Sequence, residues 1–133
     1  MNKKTGKVMV DHVYVALTAG LSVNPGFVEN QLVGGVTQIL SRLLFEQLRF
    51  GKGRTASFDF VSYPIMRFKD APKVTAIVVQ QPYETLSGIG EPVTLVASAA
   101  VANAFFDATG VRMRTAPYTP PRVRAALVAA GAA

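Results

Sequence analysis

The alternation of apolar and polar residues predicts strands in three parts of the chain. The valines within residues 8–15 lie near a period of two, with a polar break at Asp11 and His12 that suggests a bulge. Residues 55–61 also alternate. Residues 74–80 are mostly β-branched, which favours a strand that is half or fully buried.

Elsewhere the apolar residues recur every three or four positions, as on one face of a helix. This spacing is longest in residues 28–48, at Val28, Leu32, Val36, Ile39, Leu40, Leu43, Leu44 and Leu48. Residues 93–109 are almost entirely Ala, Val, Leu and Phe, so this helix is predicted to be buried on most sides. A short third helix is predicted from its N-cap, Thr119, to about Ala130.

Glycine and proline set the predicted boundaries of these helices. Gly51-Lys52-Gly53 is expected to end the long helix, Pro92 to occupy the first turn of the second helix, and Gly110 to end it. The order of elements predicts an α+β fold, with a mixed sheet packed by one long amphipathic helix and one buried helix. At 133 residues, the chain is expected to form a single domain over residues 1–133.

The composition is apolar for a small domain, since half of the residues are hydrophobic and the mean hydropathy is +0.28. Some of this surface is expected to face another subunit, and the isolated chain is expected to self-associate. No uninterrupted apolar run reaches the roughly 18 residues of a membrane span. The N-terminal residues also lack the apolar stretch of a secretory signal. We therefore expect a cytoplasmic protein with no membrane partner.

Two residue types limit the possible chemistry. The chain has no cysteine, which excludes disulfides, thiolate metal sites, cysteine nucleophiles and cysteine-ligated iron–sulfur clusters. His12 is the only histidine and cannot form a multi-histidine metal site alone, so it is expected to be an ordinary strand residue. No residue of this chain is predicted to bind a metal.

The net charge of +6 makes nucleic acid a partner to consider. The basic residues fall near the N-terminus, around the end of the long helix, and between residues 112 and 124. Aromatic residues suited to base stacking are not interleaved with them. We interpret the basic groups as solvated or subunit-facing, so no nucleic-acid partner is expected and binding through the arginine-rich end is the least favoured function.

Two positions stand out as candidates for chemistry. Gly34-Gly35 lies inside the long helix, where each glycine costs about 1 kcal/mol relative to alanine. Either a neighbouring element or a ligand is expected to approach the backbone there. Glu91 lies between Gly90 and Pro92, which places a carboxylate at a helix N-terminus. It could complement the helix dipole or serve in catalysis, and composition and spacing leave both open.

Five motifs resemble, in order and spacing, the C-terminal part of the large catalytic subunits of molybdenum hydroxylases. They are Gln31-Leu32-Val33-Gly34-Gly35-Val36-Thr37-Gln38, Tyr63-Pro64-Ile65 with Arg67 and Ala71-Pro72, Gly88-Ile89-Gly90-Glu91-Pro92, Ala102-Asn103-Ala104, and Ala108-Thr109-Gly110-Val111-Arg112. The similarity runs from about Val8 to Leu127. Within the xanthine dehydrogenase and aldehyde oxidoreductase family, it most resembles isoquinoline 1-oxidoreductase beta subunits. Each motif is weak alone, whereas five in register are specific.

The resemblance implies that the chain is a C-terminal piece of a molybdopterin-binding domain. Glu91 would be the base that takes a proton beside the molybdenum while a water-derived oxygen is added to an N-heterocycle or an aldehyde. Gln31 would contact the pterin, and Gly34 and Gly35 would let the cofactor or a neighbouring backbone come close. The chemistry of Glu91 needs a carboxylate with a proton affinity close to neutral pH, which burial beside apolar groups could provide by disfavouring the charged form.

The resemblance also implies which groups the chain needs from elsewhere. A molybdopterin-type molybdenum cofactor would be bound only in the complete enzyme, and no iron–sulfur cluster or flavin is expected in this chain. The expected partners are the remainder of the catalytic subunit and a small iron–sulfur subunit that takes the electrons. The isolated chain is expected to be inactive.

Two positions depart from the family pattern. Thr18-Ala19-Gly20 stands where the family usually has Asp-x-Gly, and Val33 stands where an acidic residue is often found. These departures, together with the short length, motivate an alternative function. In that alternative, the chain is a non-catalytic interaction or scaffold domain that retains the fold.

Overall fold

The structure, a computed structural model, describes residues 1–133. Four strands and three α-helices follow one another along the chain. They are β1 (His12–Thr18), α1 (Pro25–Leu44), β2 (Phe50–Gly51), β3 (Arg54–Thr55), β4 (Lys73–Val79), α2 (Pro92–Thr109) and α3 (Pro120–Ala129). A single 3-10 turn, Phe68–Asp70, precedes β4. The predicted α+β class is confirmed.

β1 and β4 form a parallel pair, in a register that runs from His12 opposite Lys73 to Thr18 opposite Val79. Their carboxyl ends therefore meet at one edge of the sheet. β2 and β3 form a separate antiparallel hairpin of two residues each. The sheet is thus smaller than expected and divided in two.

The helices α1 and α2 each begin after the carboxyl end of a strand of the parallel pair. Asn24 caps α1, since its Oδ1 accepts a hydrogen bond from the Phe27 N–H at 3.3 Å. Gly110 ends α2 as predicted, with φ at 71° in the left-handed region that favours glycine. α1 is the most completely buried helix, and its buried stripe is Val28, Leu32, Gly35, Val36, Leu40, Ser41, Leu43 and Leu44.

The core lies between these two helices, α3 and the inner face of the parallel strands. Its fully buried side chains are Leu32, Val36, Leu40, Val123 and Leu127. The rings of Phe105 and Tyr118 meet edge-on at 5.7 Å. The partly buried residues packed against this core include Val8, Val10, Val13, Val15, Leu17, Val74 and Ala76.

The predicted strand over residues 55–61 is wrong. β3 ends at Thr55, and the chain then turns around Asp59. The Oδ1 atom of Asp59 accepts hydrogen bonds from the N–H groups of Val61 at 3.0 Å and Ser62 at 2.7 Å. A side chain that takes backbone donors in this way competes with a strand ladder.

Three further predictions about element boundaries and burial need correction. α1 ends at Leu44; Gly51 instead lies in β2, and Lys52-Gly53 forms the turn of the β2–β3 hairpin, with φ of 51° at Lys52 and 73° at Gly53. The first strand begins at His12 and pairs with β4 without a bulge. α2 buries only Val93, Ala97, Val101 and Phe105, so its expected burial on most sides is wrong.

The exposed side of α2 is strongly apolar. Leu95 is 77% exposed and Val96 is 61% exposed. By length and composition alone, α2 could also cross a membrane. Its buried stripe nevertheless belongs to the core, packed against α1.

Candidate functional site

The candidate residues gather where the carboxyl ends of β1 and β4 meet the first turns of α1 and α2. Gln31 of α1 lies beside Gly90, and Gly35 of α1 lies beside Val93 of α2. Residue numbers increase from Gln31 to Gly35 in α1 and from Gly90 to Val93 at the start of α2. The two helices therefore run side by side in the same direction. Ligands commonly bind at the carboxyl ends of parallel strands, close to helix N-termini.

Gln31 is joined directly to the loop that carries Glu91. The Gln31 side chain is exposed, and its Nε2 donates a hydrogen bond to the Gly90 carbonyl oxygen at 3.0 Å. The Oε1 atom of Gln31 makes no hydrogen bond within the chain. Gln31 and Glu91 are far apart in sequence but lie close together in the fold. The Oε1 atom of Gln31 stays free to accept a hydrogen bond.

Glu91 occupies the N-cap position of α2, and its carboxylate is exposed. Its backbone carbonyl accepts hydrogen bonds from the Thr94 N–H at 2.9 Å and the Thr94 Oγ1 at 2.7 Å. Its side chain makes no capping hydrogen bond. Within this chain the carboxylate faces solvent, so the chain itself does not supply burial of Glu91 beside apolar groups. The carboxylate does not cap the backbone N–H groups of α2, and its position at the helix N-terminus leaves both the dipole role and the catalytic role open.

The paired glycines have different surroundings. A Cβ at Gly35 would collide with Cγ1 of Val93, so this glycine allows α2 to pack closely on α1. A Cβ at Gly34 would meet no atom within 4 Å, and the same holds at Gly88 and Gly90. Gly34 thus presents open backbone, whereas Gly35 is required by the neighbouring helix. Cofactor contact at either glycine stays a prediction.

Two glutamines that the sequence patterns did not single out join the loops after β1 and β4. Gln80 clamps Ser22, because its Oε1 accepts from the Ser22 N–H at 2.9 Å and its Nε2 donates to the Ser22 carbonyl at 3.1 Å. The Thr18 hydroxyl donates to Oε1 of Gln81 at 2.9 Å. The sequence signal that could have identified them is a pair of consecutive glutamines directly after the apolar strand β4. Thr18, one of the two departures from the family pattern, therefore forms a side-chain hydrogen bond within this chain.

Backbone contacts hold the same two loops together. Gly20 accepts a hydrogen bond from Gln81 N–H at 3.2 Å, and Ala19 accepts one from Ser87 N–H at 3.3 Å. Gly20 has a φ of 79°, and a Cβ there would lie 3.0 Å from the Glu84 carbonyl oxygen. Glycine is therefore required at this crossing. The hydroxyl of nearby Ser22 is buried without a hydrogen-bond partner.

Shifted pKa values occur near the C-terminal end of α1. A hydrogen bond to Glu46 raises the pKa of the Tyr63 phenol, and burial raises the pKa of Tyr118. A hydrogen bond from the Ser62 backbone lowers the pKa of the exposed Asp59 carboxyl. Each shift follows from local structure rather than from the surface formed by Gln31, Gly34, Gly90 and Glu91, called the Gln31 face below.

No group of three or more His, Cys, Asp or Glu side chains is placed to hold a metal ion. His12 lies in β1, where its Nε2 is 2.8 Å from the Thr75 hydroxyl and its ring stacks on Tyr14. The groups that the site offers are therefore one amide, open glycine backbone and one free carboxylate.

Comparisons with known proteins agree with the predicted resemblance. The family model of the molybdopterin cofactor-binding domain matches residues 1–72. A nicotinate dehydrogenase chain of Pseudomonas putida is 41% identical over 127 residues, which cover 96% of this chain and 11% of that protein. The beta chain of isoquinoline 1-oxidoreductase from Brevundimonas diminuta is 29% identical over 119 residues, which cover 90% of this chain and 15% of that protein.

The fold is also similar to a solved oxidoreductase. Aldehyde oxidoreductase from Desulfovibrio gigas matches with a TM-score of 0.81 and 27% identity, covering 95% of this chain and 14% of that one. The chain thus spans between 11% and 15% of the length of these three proteins and corresponds to a segment of such oxidoreductases. The predicted resemblance is confirmed, and the chain belongs to the molybdopterin cofactor-binding domain family of the molybdenum hydroxylases.

Proposed function

We propose that the chain supplies part of the cofactor-binding and proton-transfer groups of a molybdenum hydroxylase. The reaction would add a water-derived oxygen to an N-heterocycle or an aldehyde, with Glu91 as the base. The observation that carries the proposal is the Gln31–Gly90 hydrogen bond, because it holds the loop of Glu91 against the helix of Gln31.

The Gln31 face fits a pterin-type cofactor in three respects. The backbone is open at Gly34, Gly88 and Gly90, where even a Cβ would meet nothing within 4 Å. Gln31 keeps a free amide oxygen and a second N–H, which suit a ring edge that carries donors and acceptors. The Glu91 carboxylate is not used by any protein donor. Gln31 and Gly34 would therefore hold the cofactor, while Gly35 supports them by allowing α2 to pack.

When bound, the molybdenum cofactor supplies a two-electron oxidation centre. The chain's own contribution is Glu91, whose free carboxylate can accept a proton from the water-derived nucleophile. In the complete enzyme, the remaining polypeptide would cover Glu91 and exclude water from it.

The substrate class and the partners follow from the relatives. Their names specify nicotinate, isoquinoline and aldehyde, which are N-heterocycles or carbonyl compounds. Because these 133 residues contain no cysteine, a cysteine-ligated iron–sulfur centre would lie outside them. We therefore propose the remainder of a catalytic subunit and a small iron–sulfur subunit as partners, in the cytoplasm.

The test of Glu91 is a paired substitution in the assembled enzyme. Glu91→Gln should lower kcat by at least about 100-fold, since a positioned general base contributes about that much or more. Glu84→Gln removes another exposed carboxylate from the same loop and should leave kcat unchanged. Molybdenum content should be equal in both variants. Retained turnover in Glu91→Gln would rule out its role as the base.

A second function, that of a non-catalytic scaffold domain, is favoured by the exposure of Glu91 and by Thr18 and Val33. Molybdenum and pterin analysis of the natively purified complex distinguishes the two functions. Stoichiometric molybdenum and pterin would exclude the scaffold, whereas a complex that lacks both would exclude the enzyme.

A further inference from the structure

An apolar groove lies away from the Gln31 face, between β1 and α2. It has a volume of about 520 Å³, and 12 of its 14 lining residues are hydrophobic. One wall is the segment from Val8 to Tyr14, and the other is the α2 face that carries Ala97, Ala100 and Ala104. The proposed function leaves this groove without a role.

The groove follows the segment that leads into β1 and the first three residues of that strand, His12, Val13 and Tyr14. All seven consecutive residues from Val8 to Tyr14 line it, although side chains alternate between the two faces of a strand. No residue of β4, the only strand that pairs with β1, lines the groove. The groove therefore runs along the β1 edge opposite β4, where backbone groups and side chains of both faces are reached together.

The backbone leading into β1 lacks hydrogen-bond partners. Val8, Met9 and Val10 lie outside every helix and strand, and none of their N–H or C=O groups forms a hydrogen bond within the chain. Val8 and Val10 are nevertheless partly buried against the core. Backbone groups near an apolar surface are normally paired, because leaving them unpaired costs free energy. An added strand would supply the missing partners.

The α2 wall of the groove carries small side chains, so another polypeptide backbone could approach it closely. Ala97, Ala100, Ala104 and Ala108 recur at intervals of three and four on α2, so the wall consists largely of methyl groups. Val101 and Phe105 lie between them and also belong to the core. An extended segment with apolar side chains at alternate positions would satisfy both walls, by main-chain hydrogen bonds on one side and apolar contacts on the other.

We infer that this groove binds an extended apolar segment from the remainder of the catalytic subunit, which adds as a strand to the free edge of β1. The inference rests on the partner proposed above. The three relatives are roughly seven to nine times longer than the part that this chain matches, so they contain ample polypeptide for such a segment. A second copy fits less well. The apolar side chains of its β1 and β4, such as Val13, Val15 and Val74, are already packed in its own core.

The test uses one groove variant and one matched control on the same helix. Ala100 lines the groove, whereas Ala99 does not, and both are exposed. The probe is the matching nicotinate dehydrogenase chain of Pseudomonas putida, expressed without the 127-residue segment that aligns with this protein. The native chain and Ala99→Lys should bind it equally, whereas Ala100→Lys should weaken binding by about tenfold or more because a charge enters an apolar interface. Amide exchange at Val8–Val10 should slow on binding.

Each outcome decides between the proposals. If the native chain does not bind the probe, both the proposed partner and this inference fail. If all three proteins bind equally, the partner stands and the groove is excluded. If Ala100→Lys abolishes only self-association of the isolated chain, the occupant is a second copy and the inference is overturned. Circular dichroism verifies folding, and Ala104→Lys, another exposed position in the groove, replaces Ala100→Lys if that variant unfolds.

Discussion

Gly34 and Gly35 are neighbours in α1, yet they meet opposite conditions. Gly35 is buried against Val93, whereas Gly34 is exposed with open space around it. The packing of α2 on α1 therefore requires only the second glycine. Gly34 destabilises the helix, and no contact within this chain requires a glycine there. A requirement set by the proposed cofactor would account for it.

The two glycines should respond differently to alanine. Gly35→Ala should lower the free energy of unfolding by about 1 to 3 kcal/mol, because its Cβ collides with Val93. Gly34→Ala, the matched control, should raise it by up to about 1 kcal/mol through helix propensity. Urea unfolding followed by circular dichroism measures both. Equal destabilisation by the two variants would mean that α2 does not pack on α1 as described.

The sequence motifs could predict which site residues come together, but not how far they are covered. The motifs that contain Gln31 and Glu91 indicated a shared site, and the Gln31–Gly90 hydrogen bond agrees with it. The burial of Glu91 could not be read from its neighbours in sequence. It depends on groups distant in sequence, and within this chain those groups leave the carboxylate exposed.

At the scale of elements, the loop between β4 and α2 is held at both ends. Gln80 and Gln81 fix its beginning to the loop after β1. The side chain of Gln31 fixes its end to α1 through Gly90. Between these ties, the Ser87 N–H donates to the Ala19 carbonyl at 3.3 Å, and a Cβ at Gly88 would meet no atom within 4 Å.

The end tie can be tested by amide hydrogen exchange in the isolated chain. Gln31→Ala should speed exchange several-fold at the Ser87 and Thr94 N–H groups, which donate to the Ala19 and Glu91 carbonyls on either side of the tie, since a single hydrogen bond contributes about 0.5 to 1.5 kcal/mol. Gln38→Ala is the matched control, because Gln38 is exposed on the same helix and makes no side-chain hydrogen bond. It should leave exchange at the Ser87 and Thr94 N–H groups unchanged. Faster exchange in both variants would assign the effect to α1 as a whole.

The elements themselves were predicted to different degrees. α1, α2 and α3 follow from periodicity together with caps such as Gly110, and β4 follows from its β-branched residues. The alternation in residues 55–61 resembles a strand equally well, but the Asp59 side chain takes the backbone donors there. Pattern alone does not distinguish these outcomes, because the competition is between local hydrogen bonds and a partner strand.

At the scale of the whole molecule, the chain leaves much apolar surface uncovered. Only 21 of its 133 residues are buried, although half of its residues are hydrophobic. The composition therefore predicted an excess of exposed apolar surface, but it could not predict which parts of the fold carry that surface. The structure locates it in the β1 groove, on the outer side of α2, and around exposed aromatic residues such as Phe58 and Phe60.

This uncovered surface should make the isolated chain self-associate as its concentration rises, measured by sedimentation velocity. Leu95→Gln/Val96→Gln should reduce association, because it removes the apolar outer side of α2, where these residues are 77% and 61% exposed. Leu21→Gln/Val23→Gln makes the same chemical change at loop positions that are 52% and 92% exposed. Since those residues lie outside the helix face, that control should associate like the native chain.

A native chain that stays monomeric at high concentration would contradict the prediction. Equal effects of the two double variants would show that total hydrophobicity, rather than the α2 surface, drives association.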